Sequence, residues 1–146
     1  MKNTFAAYVA AFVLSTLFGP VAHALIITGA TATSTMGPPT NELSRTVTRI
    51  FNEDAAATTV TVEVSDTGFA PAVSDVFTSA SGTFANAAGS TITFNWYIDR
   101  ANALSQKSEL IDSFTFAASD SLASFSHNFT LDLLNAIADP YSMTMG

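Results

Sequence analysis

Ser90-Thr91-Ile92-Thr93-Phe94-Asn95-Trp96-Tyr97-Ile98-Asp99 is the stretch whose reading decides the fold. Ile92, Phe94, Trp96 and Ile98 alternate without a break with Thr91, Thr93, Asn95, Tyr97 and Asp99. A side-chain period of two belongs to a strand with one face in a core and the other towards water. Trp96, the one tryptophan of the chain, shares its parity with the apolar set. It therefore reads as a core residue rather than a platform for stacking a sugar ring. Tyr97 points the opposite way and is the candidate exposed aromatic.

The same alternation recurs on either side. Val60, Val62 and Val64 alternate with Thr59, Thr61, Glu63 and Ser65, and Asp66-Thr67-Gly68 follows as a turn signal. Residues 25–34 read as a first strand, and residues 44–51 as a strand with Arg45 and Arg49 on a solvent or edge face. Met36-Gly37-Pro38-Pro39-Thr40-Asn41 between them is a loop, since proline fixes φ and lacks a donor. Asn52-Glu53-Asp54-Ala55 is a turn. Residues 73–79 and 82–84 are short and weakly patterned, and Asn86-Ala87-Ala88-Gly89 predicts a hairpin loop into the strand at 90–99. Residues 99–102 close that strand, and 105–109 form a polar connection. Phe114 and Phe116, then Ala123, Phe125, His127, Phe129 and Leu131, predict a second antiparallel hairpin. Residues 132–139 suit one or two helical turns, with Asp132 as cap and Pro140 as stop. Tyr141, Met143 and Met145 begin a further alternation. Seven or eight short strands without a helical period predict an all-β, antiparallel β-sandwich, immunoglobulin-like or jelly-roll-like.

The N-terminus has a different grammar. Lys2 precedes a nearly unbroken apolar run over residues 5–18, Gly19-Pro20 breaks it, and Val21-Ala22-His23-Ala24 supplies a small-x-small cleavage pattern. Fourteen residues are too few to cross a bilayer core of about 30 Å. Residues 1–24 are thus expected to be a signal peptide, leaving residues 25–146 as one domain exported through the general secretory route. Losing Lys2 takes the net charge from −7 to −8, which disfavours nucleic acid and anionic membrane surfaces as partners. The chain has no cysteine, which excludes thiol catalysis and thiolate metal sites. Its stability must come from an apolar core, to which the mature part brings nine of the twelve phenylalanines.

Little points to chemistry. His127 is the one histidine beyond the leader. Its neighbours Ser124 and Ser126 belong to the opposite strand face, so no serine–histidine pair follows. The acids at 54, 66, 75, 99, 120 and 139 fall in predicted turns. Asp99 with Asn102 is the one start of an oxygen set for calcium, and otherwise no cofactor and no catalytic residue is expected. Tyr97, Asp99 and Asn102, at the outward end of the central strand, are the candidate ligand-binding residues. Asn128-Phe129-Thr130 is formally a glycosylation sequon within a strand.

The leader, the strand Thr59-Val60-Thr61-Val62-Glu63-Val64, the turn Asp66-Thr67-Gly68-Phe69, residues 94–102 and the ending Asp139-Pro140-Tyr141-Ser142-Met143-Thr144-Met145 together resemble the exported β-sandwich proteins of Gram-negative bacteria sorted by a PEP-CTERM signal. The resemblance implies a non-catalytic secreted or cell-surface protein of an exopolysaccharide or biofilm matrix. Its partners would then be polysaccharide or other surface proteins. The sorting tail of that family, a Val-Pro-Glu-Pro-like motif with an apolar helix and a basic cluster, is not in this sequence. With the alternation after Tyr141 stopping short, a C-terminal truncation is expected. A carbohydrate-binding module and a strand-exchanging, pilus-like subunit are the alternative readings.

Overall fold

The alternation at residues 90–99 becomes an inner strand of a five-stranded antiparallel sheet. The computed structural model describes residues 8–12, 25–28, 31–35, 41–46, 49–52, 59–70 and 72–146. Among them run eleven strands: β1 (Tyr8–Phe12), β2 (Leu25–Thr28), β3 (Thr31–Thr35), β4 (Glu42–Thr46), β5 (Arg49–Asn52), β6 (Thr61–Phe69), β7 (Val73–Ala85), β8 (Thr91–Asp99), β9 (Glu109–Ala117), β10 (Leu122–Ile137) and β11 (Tyr141–Met145). The large sheet has the order β1-β6-β11-β8-β9, and β7–β10, β2–β5 and β3–β4 form two-stranded ladders. All pairings are antiparallel. The fold is all-β, an antiparallel sandwich. The expected loop at 36–40, the turn residues 53–55 and the cleavage-site residues 22–24 lie outside the described residues.

Two layers cover the inner face of the large sheet. The long β7–β10 ladder lies over β8–β9, where Phe125 meets Phe94, Phe114 and Phe116 at ring-centroid distances of 5.7, 5.9 and 5.4 Å. Phe84 stacks on Phe116 at 5.9 Å. The β3–β4 ladder covers the β6–β11 half: Leu43 packs on the core, Asn41 Nδ2 donates to the Tyr141 hydroxyl at 2.8 Å, and Ser34 Oγ donates to Asp66 Oδ2 at 2.5 Å. Phe69, Ile98, Ile111, Ile137 and Tyr141 form the buried centre.

The chain departs from the sequence expectations where distant pairing overrides local signals. Among the described residues ten strands follow residue 24 against the seven or eight expected, because residues 25–34 and 44–51 each contribute to two ladders. The predicted turn Asp66-Thr67-Gly68 lies within β6. Pairing with β11 shifts register between Tyr141↔Phe69 and Met143↔Asp66, and Gly68, at φ 80°, absorbs the irregularity as a bulge. Residues 73–85 are one thirteen-residue strand. Asn86-Ala87-Ala88-Gly89 does not close a hairpin, since β7 pairs with β10 and β8 with β9. For the same reason β9 and β10 are no hairpin; the connection between them crosses from one layer to the other. Residues 132–137 are not helical. They extend β10, because pairing to Val73 and full burial of Ile137 outweigh the cap at Asp132 and the stop at Pro140.

The sequence predicts Arg45 on an edge or solvent face; among the described residues β4 is paired on one side only, by β3, but the side chain does not face solvent. It is half-buried, with its guanidinium 5.8 Å from the Phe94 ring centre and donating to the Val62 carbonyl. Burial pushes its pKa below the usual arginine value.

Candidate functional site

Tyr97, Asp99 and Asn102 lie at the end of β8, where the loop of residues 100–108 folds back over the outer face of β6 and β11. That face presents hydroxyls, and the loop bonds to each. Ser142 Oγ donates to the Ala103 carbonyl at 2.8 Å, Thr144 Oγ1 to the Gln106 carbonyl at 3.2 Å, and the Ser105 N–H to Ser65 Oγ at 2.9 Å. Ser65 Oγ and Thr144 Oγ1 are themselves 2.8 Å apart. Ser65, Ser142 and Thr144 are buried in consequence, with partners that offset their loss of water.

Asp99 ties the loop down. Its Oδ2 accepts the Ala103 N–H at 2.8 Å and its Oδ1 accepts from Ser108 Oγ at 2.6 Å. The Ser108 and Ala103 bonds hold its carboxyl below the usual carboxylate range against the opposing effect of desolvation. Asn102 accepts the Gly68 N–H at 2.6 Å through Oδ1 and sits at φ 57°, a left-handed conformation that asparagine tolerates better than most side chains. Tyr97 is half-buried, with Lys107 Nζ 5.8 Å from its ring centre. Lys107 in turn pairs with Glu63 at 2.6 Å, and that bond raises its pKa. Asp99 and Asn102 thus belong to one set of bonds in which both Asp99 oxygens are engaged by the chain's own donors, while Tyr97 meets the loop through Lys107. Among the described residues no three acidic, histidine or cysteine side chains gather as a metal site.

The second cluster lies between the layers. His127, in the middle of β10, presents Nε2 to Asp112 Oδ2 at 2.8 Å. Thr78 Oγ1 donates to the same carboxylate oxygen. The imidazole is sandwiched between Phe114, 4.5 Å away centre to centre and nearly parallel at 16°, and Trp96 at 5.8 Å. Burial pushes the Asp112 carboxyl up, but the bonds from Thr78, His127 and the Ser113 amide, together with the histidine charge, outweigh it and hold the carboxyl low. Trp96 is on the inner face, as its parity predicts. Ser124 lies on the outer face against Thr83, 3.2 Å away, so it stands apart from His127. Asp112 escaped the sequence reading. The usable signal was its shared parity with Phe114 and Phe116, which puts an acid on a core-facing side. A bulge reinforces it: Trp96 pairs with Asp112 and Tyr97 with Leu110, leaving Ile111 as the extra residue.

Beyond these clusters, the outer face of β8–β9 is a flat array of small polar groups. Thr93 and Thr115 hydroxyls meet at 3.0 Å, and Ser113 Oγ donates to Asn95 Oδ1 at 2.8 Å. Exposed Leu110 borders the array beside Tyr97.

Fold and site together define an all-β sandwich with a part-buried carboxylate–histidine pair and a loop clamped over hydroxyl-bearing strands. No protein-family model matches the chain, nor does any curated protein or solved structure.

Proposed function

We propose that this chain is a non-catalytic β-sandwich, exported or held at the cell surface, with a structural or weakly binding role in an exopolysaccharide matrix. The observation that carries the proposal is the hydroxyl and amide array on the outer face of β8–β9, with the Thr93–Thr115 and Asn95–Ser113 pairs in register. Rungs on one strand face recur at about 6.6–6.8 Å, with about 4.8 Å between strands. Such a surface matches the donors and acceptors of a hydrated polysaccharide without enclosing it, which suits weak, repeated contact. Tyr97 and Leu110 give the array an apolar end. The polar groups around Asp99 and Asn102 serve to keep the adjoining loop in place.

The test is co-sedimentation of the purified chain with extracellular polysaccharide from a Gram-negative biofilm. Retention is expected, weakened by Thr93→Lys with Thr115→Glu and by Tyr97→Ala. No retention of the unaltered chain, or retention untouched by both variants, overturns the binding role.

A further inference from the structure

One edge of the large sheet is built from the segment that reads as a leader. β1, Tyr8-Val9-Ala10-Ala11-Phe12, lies antiparallel on β6 in the register Tyr8↔Ser65 through Phe12↔Thr61. β6 turns Val62 and Val64 into the core, and on its other side β11 pairs with Val64, Ser65, Asp66 and Phe69. Removing residues 1–24 therefore turns Val64 and Ser65 from inner to edge positions and leaves Thr61, Val62 and Glu63 without their strand partner. An open edge presents a row of unpaired N–H and C=O groups and is a template for another strand unless charge, proline or a bulge blunts it. Thr61-Val62-Glu63-Val64-Ser65 has no proline, and the β6 irregularity lies beyond it, at residues 66–69. Its one charge, Glu63, is held by Lys107. The Val62 carbonyl takes the Arg45 guanidinium, and otherwise no proline or bulge of that stretch blunts the edge once β1 has gone.

We propose that the β6 edge is a strand-acceptor site, capped by residues 8–12 in the precursor and filled in the mature chain by Leu25–Thr28 of a second copy. The proposal rests on the reading that residues 1–24 are removed, and it assigns the surface through which the mature protein assembles. The occupant follows from three observations. β1 shows that this edge takes a short, apolar, uncharged segment running antiparallel. Leu25-Ile26-Ile27-Thr28 has that character and would form the new N-terminus. Among the described residues β2 pairs with β5 in a two-stranded ladder, and such a ladder is marginal in water compared with the five-stranded sheet, so β2 is the strand most readily released.

Connection lengths favour a second copy over the chain's own β2. The capping strand β1 is joined to β2 through residues 13–24, whereas β2 is joined to β3 by residues 29 and 30 alone. Two residues span at most about 10 Å when extended, and short hinges favour exchange between copies over refolding within one. A strand from a neighbour is joined to its own β3 and not to the β3 of the acceptor. Because each copy offers one donor and one acceptor, the contact is head-to-tail and propagates unless a ring closes.

The experiment uses the full chain with a protease site inserted between Ala24 and Leu25, purified intact and then cut. Sedimentation velocity across a concentration series is recorded once mass spectrometry shows peptide 1–24 gone. The intact chain is expected to be monomeric, and the cut chain to form dimers and longer assemblies that grow with concentration. The Val62 and Val64 amides should stay protected from hydrogen exchange in those assemblies. Ile26→Lys with Ile27→Lys, which leaves the acceptor untouched, weakens association by on the order of a hundredfold. A synthetic peptide covering residues 8–12 competes with assembly and needs no substitution. A cut chain that stays monomeric at every concentration overturns the proposal, whether its β6 amides are protected by its own strand or exchange freely. Undiminished association of the Ile26→Lys, Ile27→Lys chain overturns it too. Export is read separately, from the N-terminal mass of the secreted protein, so failure of that reading is distinct from failure of strand acceptance.

Discussion

The part-buried pair of Asp112 and His127 offers the sharpest test of how this sandwich is held together. Their side chains are 8% and 20% exposed, and Thr78, which donates to the same carboxylate, is 3% exposed. Asp112→Ala leaves the Thr78 hydroxyl without its acceptor, at about 1–3 kcal/mol, and removes a charge-assisted bond worth about 1.5–3 kcal/mol net. The desolvation cost of the carboxylate disappears with it and offsets part of the loss. A net destabilisation of about 3 kcal/mol follows, a shift on the order of 10 °C in Tm for a chain of this size. Trp96, stacked on His127, reports the transition by its fluorescence, and far-UV circular dichroism follows the strands independently. Urea unfolding of Asp112→Ala, His127→Ala and the double variant closes a cycle in which a coupling of about 1–2 kcal/mol is expected. If Asp112→Ala costs less than about 0.5 kcal/mol, the range of an ordinary surface substitution, the pair does not hold the two layers and the reasoning fails.

Acid is expected to act through the same group and through Asp99. Both carboxyls are held below their ordinary values, so their stabilisation is complete above the unfolded value of about 4 and is lost as pH falls through the lower folded value. Unfolding free energy should therefore decline below about pH 4, and Asp112→Asn should flatten that slope; an unchanged slope counts against the assignment. Gly82→Ala places a Cβ 2.7 Å from Phe125 Cζ. With that ring packed among Phe84, Phe94, Phe114 and Phe116, a loss of about 1–3 kcal/mol is expected, measured by thermal unfolding, and a neutral result means the ring has room to move. Asp99→Ala should free the loop of residues 100–108, seen as faster hydrogen exchange at the Ala103 and Ser105 amides while the Val62 and Val64 amides hold; unchanged exchange at Ala103 refutes the clamp.

What the sequence determined by itself was the side-chain face of the central strand. Period-two alternation is a property of the local backbone, so Ile92, Phe94, Trp96 and Ile98 go inward whatever they meet there. The absence of a helical period likewise settled an all-β, antiparallel class, and parity alone could have shown Asp112 facing the core. The partner of each strand was decided at longer range. The Asn86–Gly89 turn looks like a hairpin loop, yet β8 pairs with β9 because the Phe94 and Phe114 faces combine into one surface for Phe125. The helix signals at Asp132 and Pro140 are worth about a kcal/mol each, less than burying Ile137 and Leu133 beside Val73. Turn chemistry at Asp66-Thr67-Gly68 yielded to β11, whose pairing made a bulge of it. The candidate site divides the same way. Sequence could place Tyr97, Asp99 and Asn102 at the outward end of one strand. Only the folding back of residues 100–108 onto Ser65, Ser142 and Thr144, separated by up to 79 positions in the chain, decided that Asp99 and Asn102 hold a loop.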